Sequence, residues 1–340
     1  MDGDRLTTLG MFGVALAVLA VVVWVIGAEE VLGALEAADR SVLPALLAVV
    51  AVWLTAWGLA LWTVLRAIGA PVSVPMSVAL FAAAVFSNNV TPFGQAGGEP
   101  VSGLLISTAA DSDYETGLAA IASVDTLHFL PSIGLGIVGL VYLLAGAVEL
   151  TEDLLVATVG VVVLVSLIVT AATLGWRYRD RVRTGVVGVV TPVAGSLGGV
   201  IPGRSPPGRA DIEQRVDGFF LAVGRVANSR RTVAFAMGCS ALGWTCLAGA
   251  LWLSLYALGH SVPFAAVLFV VPVGSIAGVT PLPGGLGGLE AAFITLLVPT
   301  TGLPASVATA GVLIYRGATY WLPVLVGGGV ATVLGSRARQ

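Results

Sequence analysis

Four uninterrupted apolar stretches, Leu9 to Ile26, Val42 to Leu65, Leu154 to Leu174 and Thr232 to Leu258, are each long enough to cross the hydrocarbon of a bilayer, which takes about 20 residues of helix. That solvent leaves few folds open. Lipid satisfies no backbone N–H or C=O, so a spanning segment must be a helix or part of a closed barrel, and runs of this length read as helices. Composition agrees: 57% of the chain is hydrophobic and 10% charged, with mean hydropathy +0.99, against about 25% charged in soluble domains. The expected fold class is all-α, a polytopic membrane protein. The first run carries no small-residue cleavage pattern before Glu29-Glu30 and reads as a retained span.

Within this apolar background two segments break the helix pattern. Thr91-Pro92-Phe93-Gly94-Gln95-Ala96-Gly97-Gly98-Glu99 and Thr280-Pro281-Leu282-Pro283-Gly284-Gly285-Leu286-Gly287-Gly288-Leu289-Glu290 both run from Thr-Pro through glycines to a carboxylate. Irregular backbone at membrane depth has to be buried in protein or line a wet cavity, so each break is a candidate binding site.

Charge placement gives the topology. Arginine excess marks cytoplasmic loops; it is concentrated in Arg177 to Arg183, Arg204 to Arg231 and Arg337 to Arg339, while the connectors Glu29 to Asp39 and Glu149 to Asp153 are acidic. Both termini are therefore expected in the cytoplasm of a multi-pass protein of the cell membrane. About six full spans and two re-entrant hairpins result, the first hairpin opening inward and the second outward, an inverted repeat. The expected units are a first repeat over 42–148, a connecting region over 149–231 and a second repeat over 232–334, in one membrane domain covering 1–340. Residues 184–201, Gly-rich and flanked by arginine, read as shallow or re-entrant. Asp211 to Asn228 reads as an amphipathic helix, on the inner membrane surface or packed on the bundle.

Spacing supports the repeat. Glu99 and Asp125 stand 26 residues apart, as do Glu290 and Arg316; Pro131 and Pro323 follow soon after, and Trp57 and Trp244 precede the breaks at similar distances. Arg316 falls near the middle of a span, where arginine costs about 2.5 to 3.5 kcal/mol on insertion scales, so it needs an acid or water. Glu99, Glu290 and Asp125 offer three carboxylates around one guanidinium, either a structural ion pair or a cluster that also touches a substrate or coupling ion. Helices restarting after Gly98 and Gly288 would turn free N–H groups toward an anion such as a phosphate; alternatively Glu99 and Glu290 cap their own helices. Asn88, Asn89, Thr91, Gln95, Gly97, Thr280, Gly284, Gly285 and Gly287 complete the candidate substrate-binding set. His128, three residues from Asp125, is either a proton relay or hydrogen-bonded filler.

Cys239 and Cys246 lie seven apart on one expected span and read as core filling. A Cys/His/carboxylate cluster at metal spacing, a Gly-x-Ser-x-Gly elbow and a phosphate-binding Gly-Lys-Ser/Thr loop are all missing from the sequence, so no cofactor or metal and no catalytic residues are expected, nor a nucleic-acid partner.

At these residues the chain resembles the flippase-like family that includes the transmembrane region of lysylphosphatidylglycerol synthase, the multiple peptide resistance factor. The similarity rests on Thr91 through Pro100, on Pro281 through Gly287 with Glu290, and on Tyr315-Arg316 through Leu322-Pro323. It implies an integral membrane protein whose relatives move polar lipids between leaflets. Some relatives join this region to an aminoacyl-transfer or glycosyltransferase domain; here a separate lipid-modifying or glycosyltransferase enzyme is the expected partner, beside membrane lipids themselves. The family often has an Arg just after the first Gly-Gly-Glu, where this chain reads Pro100-Val101-Ser102, so that anion contact does not carry over. The leading expectation is a flippase for an anionic or glycosylated lipid head group. The alternatives are a non-catalytic membrane scaffold and an integral enzyme subunit acting on lipid-linked sugars, with Glu99 or Glu290 as acid/base group.

Overall fold

A computed structural model of the chain describes residues 27–91, 93–146, 208–278 and 282–337, together with Trp24 and scattered positions between 159 and 188. Among the described residues every regular element is helical, α or 3-10. The expected spans Leu9 to Ile26 and Leu154 to Leu174, and the segment 184–201, lie outside the described residues or nearly so.

The α-helices are α1 (Ala28–Glu36), α2 (Leu43–Ile68), α3 (Val74–Val90), α4 (Gln95–Ala110), α5 (Tyr114–Gly146), α6 (Arg209–Asn228), α7 (Arg230–Ala257), α8 (Phe264–Ser275), α9 (Gly288–Thr301) and α10 (Ala305–Arg337). Among the described residues three segments, Arg40–Ile68, Tyr114–Ala145 and Arg230–Ala257, are long and apolar enough to cross a membrane. Local signals set the ends. Gly69 closes α2 at φ 90, Gly302 closes α9 at φ 70, and Ser73 and Ser229 cap α3 and α7 by accepting the Met76 and Thr232 N–H groups.

The order long helix, short helix, break, short helix, long helix occurs twice, as α2 to α5 and as α7 to α10. The packing is reciprocal. α2 lies along α7; the long closing helix α10 packs on α3 of the first set, and the long closing helix α5 packs on α8 of the second. Trp57 and Trp244, matched in spacing, meet edge to face at the α2–α7 seam with centroids 5.4 Å apart. Trp57 Nε1 donates to the Ser240 carbonyl at 3.2 Å, and Trp244 Nε1 to the His128 carbonyl at 3.1 Å. Gly243 is what lets the helices close here, because a Cβ on it would overlap the Trp57 indole.

α6 resolves one alternative left open by its amphipathic pattern. It packs on α5 and α2; Ile212, Ala222 and Val226 are buried, and Arg225 Nη1 donates to the Ile68 carbonyl at the end of α2 at 3.0 Å. Its apolar face therefore covers the bundle.

Candidate functional site

Both sequence breaks interrupt helices, and the two interruptions touch. At the first, α3 ends at Thr91, whose hydroxyl donates to the Ser87 carbonyl at 2.7 Å and lies 3.3 Å from that of Gly94. Phe93 (φ 61) and Gly94 (φ 54) then take left-handed backbone and α4 begins at Gln95. This corrects the expectation that the helix restarts after Gly98. Two left-handed residues suffice to break the chain, and Gly97 and Gly98 continue as helix. Glu99, five residues into α4, consequently does not cap it. Gly98 serves a close approach instead: a Cβ there would overlap Asn88 Oδ1 on α3.

At the second break α8 passes into a 3-10 turn at Ile276–Gly278, and another turn at Pro283–Gly285 precedes α9, which starts at Gly288 as expected. Thr280 lies outside the described residues. Gly284, Gly285 and Gly287 all have positive φ, the conformation their lack of a side chain permits. A Cβ on Gly94 would sit 3.8 Å from the Gly278 carbonyl, and one on Gly284 3.1 Å from Asn89 Oδ1, so the second break lies against the first.

Arg316 joins them. Its Nε donates to Glu290 Oε1 at 2.6 Å and its Nη2 to the Gly284 carbonyl at 2.8 Å. Glu290 is 1% exposed, and its other oxygen accepts the Gly287 N–H at 2.6 Å. One carboxylate thus caps α9 and pairs with arginine. The guanidinium lies over the Tyr320 ring, 5.0 Å from its centroid, and the Tyr320 hydroxyl donates to the Asn89 carbonyl at 3.0 Å. Tyr320 was missed in the sequence, although its place four residues after Arg316 puts it on the same helix face.

The structure divides the expected cluster of three carboxylates in two. Among the described residues the carboxylate on Arg316 is that of Glu290. Glu99 and Asp125 lie instead on α4 and α5, helices packed against each other. Packing explains the division: α9 and α10 are neighbours, as are α4 and α5, so Glu290 meets the residue 26 positions on within its own set. Asp125 Oδ2, Asn88 Oδ1 and His128 Nε2 are buried without a hydrogen-bond partner. His128 stacks on Trp57 with centroids 4.1 Å apart. Gln95 is exposed and Gly97 half-buried. A cavity of about 310 Å³ lies elsewhere, lined by Trp62, Thr63, Arg66, Ala67, Ser229 and Thr232; none of these belongs to either break. No group of three or more His, Cys, Asp or Glu side chains poised to hold a metal occurs among the described residues.

What this arrangement can do follows from its charges. A guanidinium and a carboxylate, bonded to each other and to interrupted backbone, form a polar seam through an apolar bundle. Any ligand bearing an anionic group could compete with Glu290 for Arg316 with charge-assisted bonds.

The chain is 24% identical over 325 residues to a UPF0104 membrane protein of Methanothermobacter thermautotrophicus, covering 91% of this chain and 89% of that one. It is 22% identical over 325 residues to the UPF0104 membrane protein PH1989 of Pyrococcus horikoshii, covering 93% of each. Over 88 residues, 26% of each chain, it is 39% identical to the inner membrane protein YbhN of Escherichia coli. A family model described as the lysylphosphatidylglycerol synthase TM region matches residues 11–327. With both broken helices and the Arg316 pair inside that match, the chain belongs to the lysylphosphatidylglycerol synthase transmembrane-region family of membrane proteins.

Proposed function

We propose that this protein moves an anionic or glycosylated lipid head group between leaflets, along a polar path between its two broken hairpins, while the acyl chains stay in the bilayer. The observation that carries the reading is the buried Arg316–Glu290 pair bonded to the Gly284 carbonyl, at the point where both breaks meet, in a chain of a family named for a lipid synthase. A bare head group cannot cross hydrocarbon at a useful rate, because a charge or unsatisfied polar group there costs several kcal/mol or more. A seam of fixed dipoles and a guanidinium lowers that barrier. Arg316 and the start of α9 contact the phosphate; Glu290 holds Arg316 when no lipid is present. The two four-helix sets act as inverted repeats over 42–148 and 232–334, both termini lie in the cytoplasm, and α3–α4 and α8–α9 enter from opposite faces. A separate lipid-modifying enzyme supplies the substrate.

The second reading, a non-transporting scaffold, draws on a specific observation: the Arg316 side chain is 12% exposed and that of Glu290 1%, so the pair is closed. One experiment separates the two. In proteoliposomes loaded with labelled anionic and glycosylated lipids, the protein should carry at least one of them across faster than empty vesicles do, and Arg316→Ala should slow that transfer. No acceleration for any of them favours the scaffold; transfer unchanged by Arg316→Ala removes Arg316 from the path.

A further inference from the structure

Apart from both breaks, the cavity of about 310 Å³ lies between the last turns of α2 and the first turn of α7, so each four-helix set supplies one wall. Trp62, Thr63, Arg66 and Ala67 come from α2; Ser229 and Thr232 come from the cap and first turn of α7. Its volume stands at the small end of ligand pockets, which run from about 300 to 1,000 Å³. That is room for a head group and not for a whole lipid.

The lining offers donors and no carboxylate. The Arg66 guanidinium lies over the Trp62 ring, 4.7 Å from its centroid, a contact that holds the group while leaving its N–H fork unspent. Among the described residues no acid pairs with it. Thr63, unlike Thr55 on the same helix, donates to no helix carbonyl among the described residues. The Ser229 and Thr232 hydroxyls share one hydrogen bond at 2.8 Å, so one of their two hydrogens stays within the pair and the other is available. Ser229 also accepts the Thr232 N–H; the start of α7 is therefore capped by the protein itself, and the side chains are what recommend the site. Arg230 and Arg231, both exposed, stand beside it, and Arg225 is bonded to the Ile68 carbonyl two residues past Arg66. A donor-rich pocket flanked by arginines suits a phosphate. Its position selects a lipid as the source. The cavity lies at one end of the apolar segment Arg40–Ile68, where an interfacial Trp and basic side chains meet head groups. Along α7, Phe235 one turn past Thr232 and Leu242 two turns further are exposed, an apolar strip against which acyl chains can lie.

We propose that this cavity is a binding site for an anionic phospholipid of the cytoplasmic leaflet, the side on which an excess of arginine lies. The lipid phosphate takes the Arg66 fork, the Thr63 hydroxyl and the spare hydrogen of the Ser229–Thr232 pair, and the acyl chains run along Phe235 and Leu242. This lipid is held and not moved, because no residue of either break lines the cavity. It bridges α2 and α7, one helix from each set, and so fastens the seam at which Trp57 meets Trp244. The site stands independently of the lipid-transfer reading.

Native mass spectrometry of the full chain in detergent, titrated with phosphatidylglycerol or phosphatidylcholine, tests the site without any transport. The expected result is saturable binding of one phosphatidylglycerol, tighter than that of phosphatidylcholine. Arg66→Ala should weaken it about tenfold or more, the loss of a charge-assisted bond, and Arg66→Lys by less. Arg40→Ala, the same charge removed from the other end of the segment, and Arg316→Ala should leave it unchanged. A photoreactive phosphatidylglycerol should crosslink in the wild type to peptides carrying Trp62 to Ala67 or Ser229 to Thr232, a readout that needs no variant to fold. Equal binding of the two lipids, affinity indifferent to Arg66→Ala, or crosslinks confined to other helices overturns the proposal. Binding lost in Arg316→Ala but kept in Arg66→Ala places the lipid on the transfer path and overturns it too. Inorganic phosphate should not displace the lipid; displacement at millimolar concentration assigns the pocket to a soluble anion and overturns the lipid assignment.

Discussion

Arg316 makes two charge-assisted bonds from one side chain. Its fork reaches Glu290 and the Gly284 carbonyl at once, which a lysine, a point charge, cannot match. Removing one partner of a buried pair leaves the other uncompensated, at about 3 to 5 kcal/mol. Arg316→Ala is therefore expected to lower the thermal midpoint in detergent strongly and Arg316→Lys by less; equal melting of the wild type and both variants would show the pair to be solvated. Glycine makes a second prediction at this scale. A Cβ at Gly98 overlaps Asn88, while one at Gly134 meets nothing within 4 Å. Gly98→Ala is expected to cost about 1 to 3 kcal/mol by overpacking, and Gly134→Ala to be neutral or slightly stabilising, both read from thermal unfolding. Which residues would be costly was legible in the sequence from charge and depth. Which acid answers Arg316 was not, because pairing depends on which helices are neighbours.

At the scale of elements, the position of each break was read from Thr-Pro and the glycines, but the point of restart was read correctly only for α9. Left-handed backbone at Phe93, a residue with no glycine-like signal, ends the first break early. The 3-10 turn Arg40–Val42 ahead of α2 follows its cap. Asp39 accepts the Ser41 N–H at 2.9 Å ahead of α2, and the Ser41 side chain together with that N–H holds its carboxyl below the ordinary aspartate value of 3.8. A depressed folded-state value means that the cap contributes fully above the unfolded value and is lost as pH falls through the folded one. Amide exchange at Ser41 and Val42 should thus quicken, once corrected for intrinsic rates, on acidification below that range and stay flat above it. Asp39→Asn, which keeps an acceptor, should remove the pH dependence; unchanged acid behaviour in the variant would show that another group controls this end.

For the whole molecule, α10 packs on α3 and α5 on α8, and Trp57 meets Trp244 between the two sets. If the sets are inverted in the membrane, the turns that follow their second short helices face opposite sides. Asp113, between α4 and α5, and Ala305, at the start of α10, are exposed. With Cys239 and Cys246 replaced by alanine, a membrane-impermeant thiol reagent should reach Ala305→Cys from outside intact cells, and Asp113→Cys only after permeabilisation. Labelling of both from one side would make the repeat parallel.

The sequence by itself determined the solvent, the helical class, the two breaks and the register of 26 between acid and partner, because hydropathy, proline, glycine and buried charge act through local or solvent-wide forces that need no neighbour. Only the tertiary structure decided that the breaks meet and that Glu290 both caps α9 and holds Arg316. Those are contacts between residues far apart in the chain or on different helices, set by packing, on which the local pattern is silent.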